Sequence, residues 1–220
     1  MRREVSHEIA ERGPLVRTGA VPVPVLEDPD RELVARWRGG DMTAFEALVQ
    51  RHERRVFRLL VRMLGSPSEA EDVAQEAFLN LHRHGHRFRG EARFSTFVYR
   101  VAANAALNRR RSLGRSQARE RILAQGQASG IAAPLAPSDP EREAAGAQVR
   151  SRVQEALLAL SPALRLPLVL YDIEGLGYAE VAQVLELAEG TVKSRIHRAR
   201  QALRPLLGAL AREVGSGRAA

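Results

Sequence analysis

Along most of this chain apolar residues recur at helical spacing, and no segment alternates with the strict period that a half-buried strand requires. The longest pattern is Phe45, Leu48, Val49, His52, Val56, Leu59, Leu60 and Met63. These residues fall mostly on one face of a helix that Asp41 caps and Gly65 stops. Leu33, Val34 and Trp37 form a shorter apolar group before the Gly39-Gly40 break. The next helix opens with Ser66 as N-cap, Pro67 at the first helical position and Glu69 placed to close a capping box. It is expected to run to about His84 and end at Gly85, and a third helix to run from Ser95 to about Arg111.

The pattern lapses between Gly114 and Gly146, where Gly126, Gly130, Pro134, Pro137 and Pro140 punctuate many Ala and Ser and a short helix near Ala118–Leu123 is the one periodic stretch. It resumes near Glu143 through Leu160, restarts at Ser161-Pro162 through Tyr171, and reaches two short helices after a loop over Asp172–Gly177. The expected fold class is therefore all-α, with two small helical domains joined by a flexible linker. Residues 1–30, broken by Pro14, Pro22, Pro24 and Pro29, read as a flexible extension. Residues 31–112 form the first domain, 113–142 the linker, 143–212 the second domain and 213–220 a flexible tail.

The strongest single signal is Tyr178 to Leu203, which predicts a helix-turn-helix. In its second helix Val192, Ile196, Ala199 and Leu203 make a narrow apolar stripe. Ser194, His197 and Gln201 point the opposite way, with Lys193 and Arg198 on the shoulders. A helix with its back in a small core and a basic, polar front suits the DNA major groove. Gly190 and Thr191 fit its start, where free N–H groups favour a phosphate.

Two further segments carry chemistry. In Ser68–Leu81, Ala70, Val73, Ala77 and Leu81 make a buried stripe, while Glu69, Asp72, Gln75 and Glu76 face outward. An acidic edge in a basic protein, without basic partners along its own face, suits docking on a positively charged protein surface. Between Phe88 and Arg100, Phe88, Phe94, Phe97 and Tyr99 interleave with Arg89, Arg93 and Arg100. Such rings and guanidinium planes can stack unpaired bases and hold phosphates. Phe97, Val98 and Val101 also fit a buried helix face. Arg109, Arg110 and Arg111 end the helix, where cations suit its dipole and can meet a phosphate backbone.

Composition narrows the class. A formal net charge of +8 permits a polyanionic partner, and aromatics at 5% point to Leu, Val and Ala packing between helices. The absence of cysteine removes disulfides, thiol catalysis and Cys-type zinc fingers. No apolar run reaches the ~20 residues of a membrane helix and no secretory core is present, so stable membrane insertion is not expected and a cytoplasmic location is. His82, His84 and His86, with His52 on another helix, do not make a metal site: Gly85 interrupts the helix and no carboxylate pattern accompanies them. With no phosphate-binding glycine loop either, neither a cofactor nor an enzymatic activity is expected.

Taken together, the motifs resemble those of the extracytoplasmic-function group of sigma factors, initiation factors of bacterial RNA polymerase. GDMTAFEALVQRH resembles that family's first conserved helix, and EDVAQEAF its polymerase-binding D-x-x-Q-E helix. FSTFVYRVAANAALNRRR is similar to the helix that melts and reads the −10 element, with Phe97 at the usual Trp and Asn108 at the usual Asp. The segment from Ala159 to Leu203 is similar to the −35-reading domain nearly throughout, with an unusual Pro167.

The resemblance implies that Asp72, Gln75 and Glu76 bind the clamp of core RNA polymerase. It implies −10 contacts from Phe88, Arg89, Arg93, Phe94, Ser95, Phe97, Arg100, Asn104 and Asn108. It implies −35 contacts from Thr191, Lys193, Ser194, Arg195, His197 and Arg198, with Arg195 and Arg200 at phosphates. Core RNA polymerase, promoter DNA and an anti-sigma factor that holds the chain inactive are the implied partners. The rival reading is a stand-alone helix-turn-helix regulator, which accounts for Tyr178–Leu203 but leaves the acidic helix and aromatic loop without a task.

Overall fold

The computed structural model describes residues 28–85, 88, 90, 92–123 and 140–216. These residues are helices and connecting turns, with no strand among them. In chain order the helices are α1 (Arg31–Arg38), α2 (Met42–Leu64), α3 (Pro67–His84), α4 (Phe94–Leu123), α5 (Pro140–Ala159), α6 (Pro162–Leu168), α7 (Tyr178–Leu185) and α8 (Glu189–Ser216).

Local chemistry sets the boundaries in the first half. The Asp41 carboxylate caps α2 by accepting from the Thr43 and Ala44 amides at 2.9 and 3.2 Å. Arg36 reaches the same carboxylate from α1 at 2.7 Å, fixing the turn between the two helices. Gly65 ends α2 with φ of 85°, a left-handed conformation that favours glycine. Ser66 caps α3 as its sequence requires, but Glu69 closes no capping box. Its carboxylate instead takes a two-pronged ion pair from Arg109 of α4, a charge-assisted contact stronger than a bond to one backbone amide.

The core of this half is mainly Leu, Val, Met and Ala, as composition suggests, and it includes an aromatic cluster. Trp37 stacks on Phe45 at 5.1 Å and meets Phe94 edge-on at 6.1 Å, while Phe94 also touches Phe88, Phe97 and His52. Gly85 adjoins the same indole. A β-carbon there would lie 1.9 Å from Trp37 Cη2, and its backbone is right-handed, so the need is for space rather than for an unusual φ. His52 is buried with its Nε2 2.7 Å from the Asp30 carboxylate, which burial would raise but which His52 and Arg51 hold below the usual carboxylate pKa.

Three boundaries depart from expectation, one of them at α8, which runs to Ser216 into the expected tail. Helix α4 continues past Arg111 to Leu123, because Ser112–Leu123 is rich in good helix formers and the single Gly114 costs only about 1 kcal/mol. Helix α5 begins at Pro140, ahead of Glu143, with proline in its first turn. Residues 1–27, 124–139 and 217–220, which hold most of the expected extension and about half of the expected linker and tail, lie outside the described residues.

The second half packs onto the first. Pro167 removes one ladder donor from α6, and the chain then widens into a π-helical turn over Val169–Ile173. The Arg165 side chain is fully buried, its guanidinium donating to the Met63 carbonyl of α2 at 2.7 Å and to those of Leu158 and Leu160. Gln154 donates to the Val61 carbonyl at 3.0 Å and Arg110 to that of Met63 at 3.1 Å, so with Arg165 three side chains satisfy the carbonyl end of α2. Burial pushes the Arg165 pKa down to about 10, with help from nearby Arg110.

Candidate nucleic-acid interface and protein-docking groove

The helix-turn-helix forms as its spacing requires. Gly177 donates to the Glu180 carboxylate at 2.9 Å to start α7, and Glu186 ends it in a left-handed conformation, φ 54°. Val181 and Val184 of α7 are buried with Val192, Ile196, Ala199 and Leu203 of α8. That leaves Lys193, Ser194, His197, Arg198 and Gln201 exposed on α8, with Arg195 and Thr191 half-buried.

Several of these side chains are already held in place. Lys193 pairs with Glu189 at 2.6 Å and lies over the Tyr178 ring, Arg198 leans on Ser194, and Gln201 meets His197 at 3.0 Å. Arg200, expected at a phosphate, bonds Asp172 and lies 5.5 Å from the Tyr171 ring centroid, fastening α8 to the π-helical turn while its side chain stays half exposed.

The aromatic segment is arranged otherwise than its sequence suggests. Phe94 is fully buried, and Phe88 and Phe97 are at most 8% exposed. Base stacking is therefore closed to Phe94, which packs as the centre of the core described above. Arg100 lies over Phe97, 5.2 Å from its centroid, while Ser95 and Arg93 are half-buried and Asn104 and Asn108 exposed. Asn108 accepts a hydrogen bond from Arg111 at 2.8 Å. Arg109 and Arg110 are engaged by Glu69 and by the Met63 carbonyl, and because α4 runs on to Leu123 the three arginines Arg109–Arg111 lie within the helix rather than at its end. Arg89 lies outside the described residues, as does His86.

Asp72, Gln75 and Glu76 are exposed on α3. Beside them the structure shows a feature that the sequence reading missed, an open groove of about 790 Å³ between α2 and α3. Phe45, Val49, Phe57, Phe78 and Leu79 contribute its apolar lining, and Gln75 stands on its border. Met42 and Leu79 are 47% and 55% exposed, more than isolated core residues would be. The signal was present in the sequence: Phe78 and Leu79 fall beside the Ala70–Leu81 stripe rather than on it. An apolar groove bordered by carboxylates fits a helix that carries apolar and basic side chains.

Comparison with known proteins gives one consistent result. The models of sigma-70 region 2 and sigma-70 region 4 match residues 48–116 and 150–203. The RNA polymerase sigma-H factor of Pseudomonas aeruginosa is 36% identical over 192 residues, 86% of this chain and all of the relative. The ECF RNA polymerase sigma-E factor of Escherichia coli is 37% identical over 177 residues, 79% of this chain and 92% of the relative. Among solved structures, CnrH in complex with the cytosolic domain of CnrY aligns with a TM-score of 0.59 at 27% identity, covering 82% of this chain and 97% of that one. The sigma factor RpoE of Bartonella quintana, solved with the anti-sigma factor NepR, has the same TM-score at 20% identity and covers 74% of this chain and 96% of its own, a likeness of fold. A chain built from two sigma-70 regions in this order, and matched over 86% and 79% of its length by these relatives, belongs to the extracytoplasmic-function (ECF) sigma factors of the sigma-70 family.

Proposed function

We propose that residues 31–112 dock this chain on core RNA polymerase and read the −10 element, and that residues 143–212 read the −35 element. The observation that carries this reading is the open α2–α3 groove, on the same chain as a helix-turn-helix with an exposed basic front. Apolar contact in the groove supplies affinity for the polymerase clamp, and Asp72, Gln75 and Glu76 supply orientation against basic partner residues. Lys193, Ser194, His197 and Arg198 face the −35 duplex, with Arg195 and Thr191 at its edge. Arg93, Ser95, Arg100, Asn104 and Asn108 lie along the start and outer side of α4, where a melted −10 strand would be held, and Phe97, buried beneath Arg100, supports that surface. A stand-alone regulator would leave the groove and its acidic border without a task.

Regulation by an anti-sigma factor belongs to the same reading, because a partner covering Leu79 and the acidic border competes directly with polymerase. Transcription in vitro with core polymerase on genomic DNA, followed by mapping of start sites, tests the assignment. Initiation at promoters that share paired −35 and −10 elements is the expected result, and no change in start sites on adding the chain overturns it. Gln75→Ala combined with Glu76→Ala should weaken polymerase binding and leave DNA contacts of α8 intact. Co-purification of a protein that blocks initiation tests the anti-sigma assignment, and activity governed by synthesis alone overturns it.

A further inference from the structure

Helix α4 starts in a way that its own sequence does not account for. The Arg93 carbonyl accepts from the Phe97 amide at 3.3 Å, which makes Arg93 the residue that should cap the helix. An arginine side chain has no acceptor with which to do so. The Phe94 amide donates instead to the Asp28 carboxylate at 2.7 Å, across 66 positions of sequence. Asp28 is held ready for this bond. Its other carboxylate oxygen accepts from the Asp30 amide at 3.1 Å, and its carbonyl from the Arg31 amide at 3.0 Å. Asp30 is buried against His52 and Arg51 of α2, at 2.7 and 2.6 Å, and Arg51 also donates to the Pro29 carbonyl. His52 in turn packs on the Phe94 ring, 5.7 Å between centroids. Residues 28–30 thus form a strap from α2 to the first turn of α4. A nearer cap goes unused. Ser95 is among the residue types that cap helices best, and the sequence alone starts the helix there. In the structure the helix begins one residue earlier, at Phe94, and Ser95 lies inside it, half-buried.

We infer that Asp28 is a positioning residue for capture of the −10 strand: by capping α4 from outside, it leaves the Ser95 hydroxyl free for the strand. This inference rests on the reading of α4 as the −10 helix. Without Asp28, the part-buried Phe94 amide would lack an acceptor where water reaches it poorly. The first turn would then settle with Ser95 as its cap, the hydroxyl accepting from the amide of Phe97 or Val98. That arrangement withdraws the hydroxyl from DNA and moves Arg93 out of the register that α4 now sets. A strand held by side chains at fixed spacing is sensitive to such a shift, because the supporting contacts decide where the touching groups stand. Docking of polymerase in the α2–α3 groove is independent of it, since neither the strap nor any side chain bonded to it lines the groove. The strap also lies outside residues 48–116, which match sigma-70 region 2, so the segment ahead of α1 takes part in reading DNA.

The test compares Asp28→Ala with Asp28→Asn in holoenzyme assembled on core polymerase. Asparagine keeps an oxygen acceptor in the same place and should behave as the parent, whereas alanine should not. The probe is a promoter fragment from the start-site mapping, made with its −10 non-template strand unpaired. Asp28→Ala should weaken binding of this fragment roughly five- to tenfold and leave the yield of holoenzyme unchanged. Ser95→Ala supplies a readout that a merely structural cap would not move. In the parent it should weaken strand binding about threefold, and in the Asp28→Ala background it should add almost nothing, because the hydroxyl is already engaged by the helix. On stability the order reverses: Ser95→Ala should lower the unfolding midpoint more in that background than in the parent. Amide exchange at Phe94 in the free chain reports the cap without polymerase. It should be slow in the parent and in Asp28→Asn, and faster in Asp28→Ala. Equal strand binding by Asp28→Ala and the parent overturns the inference, and so do independent, multiplying effects of the two alanines. Loss of holoenzyme along with strand binding also overturns it, because Asp28 would then support the fold at large. A parent holoenzyme that binds the unpaired strand no better than core polymerase alone counts against the −10 reading itself, and exchange at Phe94 still decides separately whether Asp28 sets the start of α4.

Discussion

Helices α4 and α8 carry similar chemistry, arginines beside polar and aromatic side chains, and the fold uses them in opposite ways. On α8 the apolar stripe Val192, Ile196, Ala199 and Leu203 goes inward and the basic residues stay outside, so one face packs and another reads. On α4 the aromatic residues that suggest base stacking are core, and the arginines that suggest phosphate binding pair with Glu69, Glu180 and Glu186. The contrast shows that a duplex-reading helix can separate packing from recognition around its circumference. A helix that meets its neighbours on several sides has no such spare face.

The largest expected effect separates the two helices by stability. Phe94→Ala removes a fully buried ring that touches Trp37, His52, Phe88 and Phe97, and should cost about 3–5 kcal/mol in denaturant unfolding. Arg198→Ala on α8 should change stability by less than about 0.5 kcal/mol. A near-neutral Phe94→Ala would return that ring to the surface and to DNA.

The open groove extends the contrast to a second exposed surface. Leu79→Asp, at a position 55% exposed, should leave the unfolding midpoint nearly unchanged and weaken binding to core polymerase by about 2–4 kcal/mol. Equal binding of the variant and the parent would remove the groove from the docking surface. Next in size is Arg198→Ala in binding rather than stability. It should weaken recognition of the −35 element by about 1–3 kcal/mol in holoenzyme footprinting while sparing polymerase binding, and loss of both would contradict the division of labour between the two halves.

Much of this was legible in the sequence where one residue has one duty. The cap at Asp41, the stop at Gly65, the start at Ser66-Pro67 and the stripe of α8 are local, and spacing alone places them. The second domain, from α6 through α8, also followed its pattern, apart from the π-helical turn after Pro167. What the sequence concealed depends on contacts far apart in the chain. Glu69 reads as a cap partner or as part of an outward acidic edge, because its ion-pair partner Arg109 lies forty positions away. Phe94 could be read as a base platform because nothing local shows Trp37 and His52 closing over it. The Glu180 and Glu186 carboxylates that face α4 lie more than eighty positions beyond their partners Arg93 and Arg100, so no motif contains them.

The smallest effect concerns acid, and it distinguishes the two helices once more. Asp41 accepts from the Thr43 hydroxyl and from Arg36, and these bonds lower its pKa to about 2. A carboxyl whose folded pKa lies below its unfolded value near 4 stabilises the fold above that value, and the contribution fades as the pH falls towards 2. Glu69, held low by Arg109, acts in the same direction. Asp41 is exposed, so solvent screens its share and the effect is small. It is nonetheless placed where it matters to α4, because the α1–α2 turn it fixes carries Trp37 onto Phe94. Between pH 4 and 2, hydrogen exchange in α1 and at the start of α4 should therefore accelerate before that in α8, and Asp41→Asn should flatten the pH dependence in the first two alone. Parallel acceleration in all three would mean that the halves melt as one unit, and that the distinction between α4 and α8 lies in their surfaces and not in their support.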